Sequence, residues 1–217
     1  MSAAQNELRG TPRVAITGTA ANGLRPDLAA IADWIAPGAR VLDLGCGDGT
    51  LLAHLQREKG CAGYGVEIDD AQVLACARRG VDVIQRDIEA GLDMFAAARF
   101  DVVVLSMAIQ ATHRTERVLR EMSQIGAEGI VSFPNFGHWS HAWSILRGRM
   151  PMSREMPYQW YDTPNLHLST PKDFEDFLAA LGLSVQRRAF LANGRPVGLL
   201  PGLRCTQAIY SFRRTTP

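Results

Sequence analysis

Residues 41–52 read VLDLGCGDGTLL. An apolar run meets the acid Asp43, then glycines at 45, 47 and 49 with Asp48 between the last two, then another apolar stretch. Val41 to Leu44 has the continuous apolar character of a buried strand. Glycines at its end allow a tight turn and leave room for another molecule to approach the backbone. Thr50, Leu51, Leu52 and Leu55 continue at helical spacing. This strand–glycine turn–helix unit makes the chain an α/β protein. It places a ligand site beyond the carboxyl ends of the strands, where open α/β sheets bind ligands.

The same alternation extends on both sides. Pro26–Ala36 reads as a helix, with Pro37-Gly38 as its stop, and 39–46 as strand one. Further strands are read at 62–68, 81–87, 100–107 and 128–135, with helices at 50–57, 70–79 and 116–125. Asp70 is the expected N-cap of the third helix. Strict alternation predicts a mostly parallel sheet with helices on both faces. A helix opening at Thr170-Pro171 then leads to two strands, LSVQRRAFL and TQAIYSFR, with no helix between them. Two strands joined without a crossover form an antiparallel C-terminal hairpin. Residues 137–169 interrupt the rhythm and are too long for a bare connector. They hold three of the four tryptophans and three of the five histidines. The expected organisation is an arm over 1–23 and one domain over 24–217 with the insert 137–169.

With 23 basic and 22 acidic residues, the chain has no overall pull towards nucleic acid or an anionic membrane. No apolar run approaches the length of a membrane span, and the polar N-terminus lacks a secretory apolar region. Four cysteines at 46, 61, 76 and 205 form no CxxC pair, so a metal site is not expected and reduced thiols in the cytoplasm are.

The glycine spacing is GxGxG, not the GxGxxG of a pyrophosphate-binding turn, which argues against a dinucleotide-dependent oxidoreductase. Acids beside the loop suit a ligand with cationic groups, such as the ammonium and sulfonium of S-adenosylmethionine. Glu67 ends strand two, 20 residues past Gly47, where an acid can accept hydrogen bonds from ribose hydroxyls. Asp87 ends strand three, where it can accept from an adenine amino group while Ile88 packs on the ring. Each signal alone fits an ordinary strand end; three on successive strands of one sheet fit one ligand.

VLDLGCGDG, GVEID and RDIE resemble the motifs of class I S-adenosylmethionine-dependent methyltransferases. The resemblance implies a Rossmann-like seven-stranded sheet of order 3-2-1-4-5-7-6. It also implies that the loop lies against the methionine part of S-adenosylmethionine or S-adenosylhomocysteine. The cofactor-binding set is taken as Asp43, Gly45, Cys46, Gly47, Glu67, Ile68, Asp87, Ile88 and Ser106. LRPDLAAIADWI, SFPNFGHW and PYQWYDTPNLHLST are similar to the MetW family of methionine-biosynthesis proteins, over about residues 24–195. That resemblance implies a role beside a homoserine O-acyltransferase of the MetX type.

Methyl transfer from a sulfonium is an in-line displacement that needs alignment and exclusion of water, and a base only for a protonated acceptor. The candidate bases are His113, His138 and His167, with His141 and Tyr161 beside them. The loop SMAIQAT lacks the Asn-Pro-Pro-aromatic signature of base and amino methyltransferases, so nucleic-acid bases are not expected acceptors. The insert reads either as a lid over an acceptor or as a docking surface over 138–169, rich in Trp, Tyr, Met and Arg. Two functions therefore stand: a cofactor-binding activator or regulator of the acyltransferase, or a working small-molecule methyltransferase. A homodimer is compatible with either.

Overall fold

The computed structural model of the chain describes residues 23–153, 157 and 159–215. The expected arm over 1–23 lies outside them except for Gly23, as do residues 154–156 and 158 of the insert.

The elements run α1 (Pro26–Trp34), β1 (Arg40–Leu44), α2 (Thr50–Lys59), β2 (Ala62–Glu67), α3 (Asp70–Arg78), β3 (Val83–Gln85) and β4 (Phe100–Ser106). They continue with α4 (Thr115–Ile125), β5 (Gly126–Pro134), α5 (Trp139–Leu146), α6 (Pro171–Ala180), β6 (Leu183–Ala192), β7 (Arg195–Pro196), α7 (Pro201–Arg204) and β8 (Gln207–Arg214). One sheet has the order β3-β2-β1-β4-β5-β8-β6-β7. The strands from β1 to β5 pair in parallel, while β8 runs antiparallel between β5 and β6.

The expected order is found, with an eighth strand added. The two-residue β7 pairs with the end of β6 (Leu191↔Pro196, Ala192↔Arg195). The hairpin is also not bare, because the one-turn helix α7 lies between β6 and β8. Neither element is long enough to show a period in sequence. A third correction concerns α3: Asp69, not Asp70, is its N-cap, and the Asp69 carboxylate accepts from Gln72 N at 2.9 Å.

The strand side chains alternate between two cores. On β4, Val103 and Leu105 join the layer with α4 and α6, while Val102 and Val104 join the layer with α1, α2 and α3. This two-sided burial explains the continuous apolar run FDVVVLS. In the first layer Phe133, Phe174 and Tyr210 pack together, with Phe133 and Phe174 ring centres 4.7 Å apart. Thr170 and Asp173 form a reciprocal capping box that fixes the start of α6 beside them.

Register places Leu44 level with Val66 and with Leu105, and Glu67 level with Gln85. The carboxyl ends of β1, β2, β3 and β4 therefore form one edge, and the strand order reverses between β1 and β4. A crevice at such a switch point is the ligand site of this architecture.

Candidate cofactor crevice and the histidines beside it

The loop after β1 is shaped by Gly45, Gly47 and Gly49, all with positive φ. Two of them have identifiable tasks. Gly49 caps α2 in a left-handed conformation (φ 73°), and a Cβ there would lie 3.0 Å from Cys76 Sγ and 3.2 Å from Val81, so it lets α2 approach α3. A Cβ on Gly45 would meet Ala108 Cβ at 3.6 Å, an ordinary contact, so glycine serves there for its left-handed φ of 64°, which turns the loop beside the residues after β4.

Glu67 holds the loop in place. Its Oε2 accepts from Gly47 N at 2.7 Å, and its Oε1 accepts from Ile68 N at 2.9 Å and Asp69 N at 3.2 Å. Three of the roughly four acceptor positions of a carboxylate are thus engaged by backbone amides. For Glu67 to take both ribose hydroxyls, an amide must give way.

Asp43 is buried at the end of β1. Asp48 accepts from Thr50 at 2.7 Å and from Arg79 at 2.8 Å, so its charge is partly neutralised by Arg79. The Cys46 side chain points under the loop: Cys46 Sγ lies 3.7 Å from Cys76 Sγ, and Cys76 Sγ donates to the Gly47 carbonyl at 2.8 Å. Burial, and next the Asp43 charge, push the Cys46 thiol well up; burial also raises Cys76. Both stay protonated and serve packing, so Cys46 can offer a ligand only its backbone. Asp87 is exposed just past β3, where it caps a short turn and accepts from Glu89 N at 2.8 Å. Ile88 beside it packs on the first core. Ile68 is half-buried at the turn.

Ser106 ends β4 in a buried polar network that the sequence did not announce. The Asp27 carboxylate, fully buried, accepts from Arg25 Nε at 3.1 Å, Arg25 Nη2 at 2.9 Å and Ser106 Oγ at 2.9 Å. Arg25 Nη2 also donates to Ser106 Oγ at 2.9 Å, and Ser132 of β5 donates to Ser106 at 3.1 Å. In sequence, Asp27 reads as an ordinary acid in the first turn of a helix; its partners lie 79 and 105 residues away. The next residue, Met107, holds φ 52°, an uncommon conformation for a non-glycine residue. Its N–H donates to Ser132 Oγ at 3.1 Å. The network thus sets the wall of the crevice opposite Gly45.

The histidines do not converge on the glycine loop. His113 and His167 share a cavity of about 900 Å³ between α4 and α6, with Gln110, Arg114, Phe174 and Phe177. None of the glycine-loop residues, Glu67 or Asp87 lines it. Leu166 N and His167 N both donate to the Gln110 carbonyl, tying the insert to the turn after β4. His138 is the N-cap of α5, accepting from Ser140 N at 3.3 Å. His141 is buried beneath α5, its Nδ1 3.0 Å from the Phe136 carbonyl oxygen. Tyr161 is exposed, edge-on to Trp160. Among the described residues no nucleophile–base–orienter chain links these groups.

The profile of the family described as "Methionine biosynthesis protein MetW" matches residues 25–212. The chain belongs to this family. It is 35% identical over 205 residues to the "Bifunctional methionine biosynthesis protein MetXA/MetW" of Rhodopirellula baltica, covering 88% of the chain and 33% of that protein. It is 32% identical over 118 residues to the "Nocamycin O-methyltransferase" of Saccharothrix syringae, covering 48% of the chain and 42% of that protein. The chain thus spans less than half the length of either relative. An S-adenosylmethionine-dependent methyltransferase from Mesorhizobium loti superposes with a TM-score of 0.61 at 17% identity, over 87% of this chain and 98% of that one. The Rossmann-like methyltransferase fold of this MetW-family chain follows from that match and from the sheet order. Among the described residues no helix is long and apolar enough to cross a membrane.

Proposed function

We propose that this chain binds S-adenosylmethionine or S-adenosylhomocysteine and acts as the activating or regulatory partner of a homoserine O-acyltransferase of the MetX type. One observation carries the reading: a relative joins MetXA and MetW on a single polypeptide. Two proteins found as one chain in one organism are good candidates for a working pair in another. The free, buried thiols suit the reducing cytoplasm.

The crevice fits the adenosyl cofactor in its donor set. Asp43 is the acid beside the loop for the ammonium, Glu67 faces the ribose position, and Asp87 with Ile88 flanks the adenine position. When bound, the cofactor supplies an electrophilic methyl group. In the regulatory reading that methyl is not used, and what matters is a difference in cofactor affinity between the free protein and the complex. The insert 138–169 is the proposed contact with the acyltransferase.

The test is acyl transfer to homoserine by the purified host acyltransferase, with and without this chain, from acetyl- and succinyl-coenzyme A. A rate increase that disappears on deleting 138–169 supports the reading; an unchanged rate without co-purification refutes it. The second reading, a small-molecule methyltransferase, is favoured by the similarity to the Nocamycin O-methyltransferase. Methyl transfer from the bound cofactor to a metabolite in a broad screen would establish it.

A further inference from the structure

The insert is one part of the exposed apolar surface, and a second part lies far from it in sequence. Helix α5, WSHAWSIL, buries only His141. It leaves Trp139 59%, Trp143 51% and Leu146 77% exposed. Eight residues are too few for a helix to be stable on propensity alone, and such helices depend on packing an apolar face. Around α7, Leu199 is 69%, Leu200 60% and Leu203 51% exposed. Leu200 also adopts φ 49°, a strained conformation for a bulky residue and one that persists where the surroundings enforce it.

The two parts meet at the end of β5. Asn135, fully buried, donates from Nδ2 to the Gly202 carbonyl at 2.8 Å and the Cys205 carbonyl at 2.9 Å, and its Oδ1 accepts from Gly137 N at 2.9 Å. A Cβ on Gly137 would lie 3.2 Å from the Gly202 oxygen. One side chain thus clamps α7 against the residues that lead into α5. Six large exposed hydrophobics on two segments that Asn135 ties together are more than a scatter of single ones, and apolar patches on a surface mark interaction sites.

Its charge is one-sided. Residues 137–153 and 193–205 contain no acidic residue but carry Arg147, Arg149, Arg195 and Arg204. All four arginines are exposed, and none makes an ion pair with another described residue. Arg147 stacks over the Trp143 ring at 4.8 Å. A two-fold dimer through this face would set like charges against each other, since such an interface presents the same patch on both copies.

We infer that α5 and α7 form one composite docking face, apolar at the centre and basic at the rim, for a different protein whose matching surface is apolar with a carboxylate rim. This rests on the proposed acyltransferase partnership and assigns that partner's contact to 199–204 as well as to α5 of the insert.

The experiment titrates the full-length chain into its host homoserine O-acyltransferase by calorimetry at low and moderate salt, with Trp143→Asp, Leu203→Asp and Arg204→Glu as variants. Each aspartate is expected to raise Kd at least tenfold. Arg204→Glu is expected to raise it at least threefold and to flatten its salt dependence. Thermal denaturation and the milder Leu199→Ser control for folding. Wild-type binding that Trp143→Asp abolishes and Leu203→Asp leaves unchanged overturns the composite face while the partnership stands. A wild-type homodimer that Leu203→Asp converts to monomer also overturns it. Absence of binding by the wild-type chain removes the partnership itself, and the assignment with it.

Discussion

Replacing Glu67 by Gln tests how the crevice is built, because the change keeps shape and removes one acceptor. The carboxylate receives Gly47 N on one oxygen, and Ile68 N and Asp69 N on the other. A glutamine has one acceptor oxygen and one NH₂ group, so one side must face a donor. The cheaper orientation turns its oxygen to the Ile68–Asp69 pair and leaves the NH₂ against Gly47 N–H. One buried amide without an acceptor costs about 1–3 kcal/mol. That is the expected loss of stability, read as a lower urea midpoint with an unchanged slope. The cofactor should lose a further charge-assisted acceptor, so the dissociation constant for S-adenosylhomocysteine should rise about tenfold to a hundredfold, as 1.4 kcal/mol is one factor of ten. In the wild-type protein, cofactor addition should also speed hydrogen exchange at the Gly47 amide, if that amide gives way to a ribose hydroxyl. A Glu67→Gln protein with the wild-type urea midpoint and with cofactor affinity within threefold would refute the reasoning.

Asp27→Ala should cost about 2–4 kcal/mol in chemical denaturation, somewhat below a fully buried pair because Arg25 can partly rehydrate. The double change Arg25→Met, Asp27→Leu should recover much of that loss. Burial alone would raise the Glu128 carboxyl, but hydrogen bonds from Ser211, Arg213 and Arg187 outweigh it and hold the group below its ordinary value. Its contribution is therefore present above the unfolded-state value and lost as pH falls through the folded one; Glu128→Gln should flatten the acid limb of a stability–pH curve. All four cysteines are buried free thiols, so a thiol reagent should label none quickly in the native protein and all four after denaturation.

The parts of the fold that show in sequence are those with a repeat. Strands covered on both faces, such as 102–105, and helices with a Leu or Ile stripe are visible because burial acts on every residue of the run. β7 and α7 are too short to impose any pattern, and the N-cap shifts by one because Asp69 and Asp70 are chemically equal there. The glycine loop and the acids at the strand ends are legible because each needs its residue type locally. The network of Arg25, Asp27, Ser106 and Ser132 is not, because its meaning lies in contacts spanning up to 105 residues. The Trp-rich insert announces an unusual surface, yet the leucines of 199–203 look like a plain loop until Asn135 brings them beside it.

The antiparallel β8 has a consequence for how the protein is made. It lies between β5 and β6, so the last strand of this sheet in chain order enters the interior of the sheet, not its rim. Until Gln207–Arg214 is synthesised, a nascent chain displays the unpaired edge of β5 along Gly129–Pro134, with Ile130, Val131 and Phe133 on it. Such an edge is a template for pairing with other chains. Premature termination anywhere before residue 207 should thus yield aggregating product, not a shortened working domain, and a release from the ribosome that lags behind collapse would favour chaperone capture over folding.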